Sequence, residues 1–293
     1  MQRLQVHRKK NNLGRLGILA GGGELPFIGM KEALSNGEDP IFLGIRESDF
    51  QAREFEARTV YCYIAKIGKL IQICKKEKID RLLLLGKIKK ELLFRSLKYD
   101  LKAITLLAKM INKHDYTIFK IISDEFLKNK IEILSQKKYL QSLLLSEGRY
   151  TKKKLSKDTL CDIKFGMDYA KKLTELDIGQ TVVVFNQTVL AVEAVEGTDE
   201  TILRGGKLSN KKGGVVCKSA KKNQDDRFDL PGIGIHTLQY MKESGCSTLA
   251  FHAGEALVVN PKEVIDFAEK NKIDLVSYGE SGVKILNGSQ KNI

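Results

Sequence analysis

The stretch LGILAGGGELP, residues 16–26, carries the fold assignment for the first half of the chain. An apolar run closed by three glycines reads as a strand entering a turn, and a helix then starts at Pro26 and runs to Leu34. PIFLGI at 40–45 is the next strand-like run. Ile67, Leu70, Ile71 and Cys74 recur at helical spacing, and RLLLLG at 81–86 reads as a buried strand. Strands alternating with helices over about ninety residues imply a parallel sheet covered by helices, a Rossmann-like α/β domain.

Working outward, residues 97–146 turn mainly helical, with LKAITLLAKMI followed by IFKIISDEFLKNK. SEGRYTKKKLSKD, 146–158, is polar and basic and reads as a linker. FGMDYAKKLTEL is then a helix, and TVVVF, TVLAVEAVE, GGVVCKSA, SGCSTLAFHAG and GEALVVN are strands. VIDFAEKNK supplies a further helix and DLVSYG a last strand. The expectation is two α/β domains: 14–146, a linker at 147–158, and 159–285.

The chain of 293 residues has a formal net charge of +14, which attracts polyanions without choosing among nucleic acid, nucleotides and an anionic bilayer. Aromatic residues make up 7% and no nucleic-acid-binding module is visible, so a nucleic-acid partner is not expected. Five scattered cysteines without a CxxC read as reduced, mostly buried thiols of a cytoplasmic protein. The four histidines are scattered as well, which argues against a zinc site of the usual type. No segment approaches the ~20 apolar residues of a membrane span.

Three stretches could carry chemistry. Gly21, Gly22 and Gly23 either let backbone amides approach a phosphate or merely join strand to helix, and the two readings weigh equally. In LAVEAVEGTDETILRGG, 190–206, Glu193 and Glu196 converge only if a bend intervenes, and EGTD supplies one. There Thr198 or Asp199 is placed to cap a helix starting at Glu200. In KSAKKNQDDRFDLPGIGIHT, 218–237, Asp225, Asp226 and Asp229 sit among Lys218, Lys221, Lys222 and Arg227. Paired carboxylates suit Mg²⁺ and the bases suit a pyrophosphate, although mixed charge runs are also ordinary solvated surface.

Taken in order, LGILAGGGELP, LDIGQTVVVF…VLAVEAVEGTDETILR, KKNQDDRFDLPGIGIHT and AFHAGEALVVNPKEVIDFAEKNKIDLVSYG resemble the UDP-2,3-diacylglucosamine pyrophosphatases of lipid A biosynthesis, the LpxI type. The resemblance spans roughly residues 14 to 280 and rests most on EGTD combined with QDxRxDLPxxG. It implies two α/β domains clasping a lipid, and metal-dependent hydrolysis of UDP-2,3-diacylglucosamine to 2,3-diacylglucosamine 1-phosphate and UMP. It also implies a cytoplasmic location at the inner-membrane face, and it admits a homodimer. Carried over by motif, Asp229 is the essential acid, and Asp225 stands at a position filled by Asp or Glu; Arg227 and Lys222 are expected to join them in catalysis by neutralising the diphosphate. Asp229 with Asp225 or Glu196 would bind Mg²⁺ or Mn²⁺. Gly21, Gly22, Gly23, Lys218, Gln224, Thr198 and Asp115 would contact substrate. Asp226 falls in a variable slot of the motif.

The sequence departs from the family pattern at Lys221–Lys222, where Lys-Pro is usual. It departs again at Lys113-His114-Asp115-Tyr116, where Lys-Gly-Asp-Asp is expected. A non-catalytic nucleotide-sugar-binding protein is the alternative reading.

Overall fold

The computed structural model describes residues 14–88, 99–110, 115–152, 154–220, 225–228 and 230–279. Lys222, Gln224 and Asp229 of the expected site therefore lie outside the described residues, and for Asp115 only its place in the backbone is described. The chain forms two compact units.

The first unit contains β1 (Arg15–Ala20), α1 (Leu25–Ser35), β2 (Ile41–Ile45), β3 (Thr59–Cys62), α2 (Ile67–Lys76) and β4 (Ile79–Leu85). It continues with α3 (Leu101–Met110), α4 (Asp115–Lys128), β5 (Glu132–Ile133) and the short α5 (Gln136–Tyr139). Its five strands pair in the order β3-β2-β1-β4-β5, and every pairing is parallel. This is the doubly wound arrangement expected from the alternation of runs, with its switch point between β1 and β4. Strands β1, β2 and β4 are buried almost throughout, so their sequences read as continuous apolar runs rather than alternating ones. Leu19, Leu43, Ile45, Leu82 and Ile133 meet Leu70, Ile71 and Cys74 of α2 in one core. Phe42 points elsewhere, into a nest of Phe27, Phe50 and Phe55.

Two strands of this sheet have no counterpart in the sequence reading. β3 is only half-buried over most of its length, and β5 has two residues, so neither makes an apolar run.

The second unit contains β6 (Gly148–Arg149), α6 (Lys157–Glu175), β7 (Thr181–Phe185), β8 (Thr188–Val192), α7 (Thr198–Leu208) and β9 (Val215–Lys218). It ends with β10 (Gly232–Ile233), α8 (Ile235–Ser244), β11 (Thr248–His252), β12 (Leu257–Val258), α9 (Pro261–Lys270) and β13 (Asp274–Tyr278). The main sheet runs β6-β13-β11-β9-β7-β8, with β9, β11 and β13 parallel and the other three pairings antiparallel. One face packs Val183, Val216, Phe251 and Leu275 against Ile202, Leu238 and Val264 of α7, α8 and α9. The other packs Val182, Cys217, Ala250 and Val276 against Ile163, Met167 and Ala170 of α6.

The stretch 147–158, expected as a linker, is structured at both ends. Gly148–Arg149 pair with β13, and Arg149, Tyr150 and Thr151 are buried. Ser156 caps α6 by accepting the Thr159 amide at 3.0 Å, which starts that helix earlier than its apolar pattern suggests. The first unit closes at Leu140, and one four-residue segment far along the chain, Asp225–Phe228, belongs to it by contacts.

Candidate active site

The glycine turn closes the switch point of the first sheet. The Gly21 amide donates to the Leu85 carbonyl at 2.8 Å, the Gly22 amide donates to Lys87 at 3.0 Å, and the Lys87 amide donates back to Gly22 at 2.8 Å. A side chain on Gly21 would place its Cβ 2.6 Å from the Lys87 carbonyl oxygen, so glycine is needed for the two loops to meet. Two of the three amides expected to cradle a phosphate are thus spent on the neighbouring loop. Gly23, at φ +94, faces open space.

Within the first unit, the segment Asp225–Phe228 is a turn in which the Phe228 amide donates to the Asp225 carbonyl at 3.0 Å. Asp225 is gripped by Arg227: the guanidinium donates to its two oxygens at 2.8 and 2.6 Å, and the Arg227 amide adds a bond of 3.2 Å. These bonds hold the Asp225 carboxyl below the usual carboxylate range, with burial opposing them. Asp226 turns away from this pair and accepts from the Ser135 hydroxyl at 2.5 Å. Beside them lies a cavity of about 480 Å³, lined by Ser123, Leu127, Ser135, Lys138, Asp226 and Arg227. The acids that the sequence grouped therefore separate, Asp225 to Arg227 and Asp226 to Ser135.

Because the folded value of Asp225 is lowered, its contribution to stability is present above the unfolded carboxyl value of ~3.9. It is lost as pH falls through the lowered folded value. In an Arg227→Gln variant, a carboxyl-carbon NMR titration should show the Asp225 midpoint rising toward the ordinary carboxylate range. An unmoved midpoint would mean that Arg227 is not what lowers it.

In the second unit, polar groups gather at the carboxyl ends of β9 and β11, the edge where open α/β sheets hold ligands. Lys218 ends β9 almost fully buried, and its ammonium donates to the Thr198 hydroxyl at 3.3 Å and to the Gly232 carbonyl at 3.2 Å. Thr198 in turn donates to Glu193 at 3.0 Å, and the Gln180 amide donates to Glu193 at 3.4 Å. The bend at EGTD makes this possible: β8 stops at Val192, and Gly197, at φ 86, is the residue before α7. That helix begins at Thr198, two residues earlier than expected, so Thr198 faces Lys218 instead of capping the helix.

Glu196 serves the same bend. It accepts from the Ala194 amide at 3.2 Å, the Thr201 hydroxyl at 3.3 Å and Arg204 at 2.6 Å. The resulting network of backbone, Arg204 and Thr201 bonds lowers the Glu196 carboxyl from its ordinary value.

Two residues that sequence reasoning missed complete this edge. Ser219 is fully buried, and its hydroxyl lies 3.1 Å from Nδ1 of His252. Burial holds the His252 imidazole below its ordinary value, with Glu255 opposing and Lys171 adding to the shift. Both lie in stretches quoted above, but no local pattern pairs them, and they meet because β9 and β11 run parallel in register, Phe251 opposite Lys218. Cys62, Cys74, Cys217 and Cys246 are buried, and burial pushes Cys62 and Cys74 up to about 12.

Magnesium is held through one or two carboxylates, with substrate phosphate oxygens and water completing the shell. Asp225 has the right donor chemistry: hard carboxylate oxygens that keep lone pairs beyond those taken by Arg227. Among the described residues, no three His, Cys, Asp or Glu side chains come together as a cage of their own. No helix among them is long and apolar enough to cross a membrane.

Comparison with known proteins agrees with this two-unit organisation. The family model for the LpxI N-terminal domain matches residues 15–143, and that for the LpxI C-terminal domain matches residues 146–276. A protein of Caulobacter vibrioides named UDP-2,3-diacylglucosamine pyrophosphatase LpxI is 30% identical over 266 residues, spanning 87% of this chain and 94% of that protein. With both domain models matched in order and a relative aligned over nearly its whole length, the chain belongs to the LpxI family.

Proposed function

We propose that this protein hydrolyses UDP-2,3-diacylglucosamine to 2,3-diacylglucosamine 1-phosphate and UMP. The observation that carries the reading is the alignment, over 94% of its length, with a Caulobacter protein named for that pyrophosphatase activity. In this reaction water adds to one phosphorus of the phosphoanhydride and the bridging oxygen leaves with the other phosphate. The chemistry needs charge neutralisation, an oriented water and a stabilised leaving group.

Lys218, Lys222 and Arg227 are the residues proposed to neutralise the diphosphate. Lys218 is the best placed by its surroundings, since a buried ammonium beside the Thr198 hydroxyl is held in one position before substrate arrives. Thr198, Gln224, Asp115 and the open Gly23 would add contacts to the substrate, while Gly21 and Gly22 shape the turn. Asp229 is the essential acid, and Asp229 and Asp225 are the residues that would hold Mg²⁺ or Mn²⁺. When bound, the ion would supply charge neutralisation on the pyrophosphate oxygens. Glu196, whose bonds tie the bend at Ala194 to Thr201 and Arg204 of α7, is a support for Thr198 in this scheme.

The substrate's acyl chains call for work at a bilayer surface, proposed as the cytoplasmic face of the inner membrane, and the chain's +14 charge favours an anionic surface there.

The metal is tested by assaying UMP release after EDTA treatment. Activity should vanish and return on adding Mg²⁺ or Mn²⁺, whereas undiminished turnover in EDTA would remove the ion from the scheme. Organic extraction of the purified protein followed by mass spectrometry tests the substrate class, with a diacylated glucosamine phosphate as the expected species.

A further inference from the structure

The motif segment is fastened to the first unit by residues that the motif itself leaves free. Asp225–Phe228 is flanked on both sides by chain belonging to the second unit, yet its own contacts lie with the first. Three attachments hold it there. The Ser135 hydroxyl donates to the Asp226 carboxylate at 2.5 Å, a charge-assisted bond at the short end of its range. The Gln136 amide donates to the Asp226 carbonyl at 2.9 Å. The Phe228 ring stacks on Phe119 of α4 with centroids 4.4 Å apart and planes 16° from parallel, at the margin of the first unit's core.

Ser135 is informative about what this contact is for. It occupies the residue before α5, where a serine ordinarily turns its oxygen onto the helix's own amides. Here it makes no such cap and gives its hydroxyl to Asp226 instead. Gln136, whose amide belongs to the first turn and has no partner inside the helix, is satisfied by the Asp226 carbonyl. One residue thus takes both a side-chain and a backbone bond, and an aromatic stack follows two residues later. A charged run that merely lay on the surface would have neither an aligned ring pair nor a redirected cap.

We propose that Asp226 and Phe228, with Ser135 and Phe119 beneath them, are positioning residues that fix the motif segment immediately before Asp229. The inference rests on the pyrophosphatase reading for its consequence in turnover, but not for the anchor itself. Asp226 then has a reason to be acidic in this chain that does not depend on a bound ligand. Its carboxylate accepts from the Ser135 hydroxyl.

The experiment has two arms. In the first, backbone hydrogen exchange is followed in the full-length protein and in Phe119→Ala and Ser135→Ala variants. The Gln136 amide and the segment 225–228 should lose protection while β1, β2 and β4 keep theirs. Unchanged exchange at Gln136 and the segment would overturn the anchor.

In the second arm, kinetics of UMP release separate positioning from bulk stability. Ser135→Ala should lower kcat by roughly tenfold, the scale of loss when a catalytic group is displaced by a fraction of an ångström, with KM little changed. Ser135→Thr and Phe119→Tyr, which keep the hydroxyl and the ring, should restore it. Loosened exchange with wild-type kcat would overturn the positioning role. If the wild-type protein itself releases no UMP, the reaction reading fails, and the exchange arm alone still decides whether the segment is anchored.

Discussion

Replacing Asp229 by Ala is expected to lower kcat for UMP release by roughly 10²–10³-fold, the scale of loss when one part of the charge-stabilising apparatus is removed, here the carboxylate proposed to hold the ion. KM should change little, because an interaction made mainly in the transition state lowers kcat and kcat/KM together. Its place in the motif sets this residue apart from the acids beside it. Asp225 is paired with the Arg227 guanidinium, and Asp226 accepts a hydrogen bond from the Ser135 hydroxyl. Asp229 is the acid that the RxDLP element keeps, followed directly by the buried Leu230. Asp229→Asn, which preserves size and removes only charge, should show nearly the same loss, and thermal unfolding should be close to that of the wild type. Turnover within a few-fold of wild type in both variants would remove Asp229 from the chemistry.

The second large effect is on stability. Phe42→Ala should destabilise the protein by about 3–5 kcal/mol, the range for deleting a buried aromatic side chain. Phe42 is 0% exposed in the middle of the parallel sheet. It makes edge-on contacts to Phe27, Phe50 and Phe55 at centroid distances of 5.7, 5.1 and 5.7 Å. The other three rings come from separate parts of the chain, Phe27 from α1 and Phe50 and Phe55 from the segment after β2, so filling the space would require shifts in both. The size of the loss is a large share of the ~5–15 kcal/mol available to a folded domain. Chemical denaturation followed by circular dichroism measures it, and a change under about 1 kcal/mol would mean that this aromatic nest collapses around the gap.

How much of this was legible in the sequence follows from burial. Strands buried on both faces, such as β1, β2, β4 and β9, announce themselves as apolar runs, and so the α/β class and the parallel sheet were readable. Strands β3, β5 and β6 are short or half-buried, and their pairing partners, not their composition, make them strands. The bend at EGTD was readable because Gly197 sits where the backbone must take a positive φ, but the helix start was misplaced by two residues.

At the candidate site, residue type singled out Lys218 and Thr198, while only the structure shows them bonded to each other, since they lie twenty residues apart in the chain. Ser219 and His252 were invisible because strand register, which no local pattern encodes, brings them together. The glycine run was the reverse case. Its composition suggested a phosphate cradle, whereas Gly21 and Gly22 spend their amides on the loop after β4. Three clustered aspartates likewise suggested one ligand set, yet two of them face different partners within four residues of chain.

The most direct test of the account is the reaction itself. Purified full-length protein is incubated with UDP-2,3-diacylglucosamine and Mg²⁺, and the products are identified by mass spectrometry. The account predicts UMP and 2,3-diacylglucosamine 1-phosphate in equal amounts over many turnovers. Substrate recovered intact, whether free or held by the protein, would contradict it and would favour a nucleotide-sugar-binding protein instead.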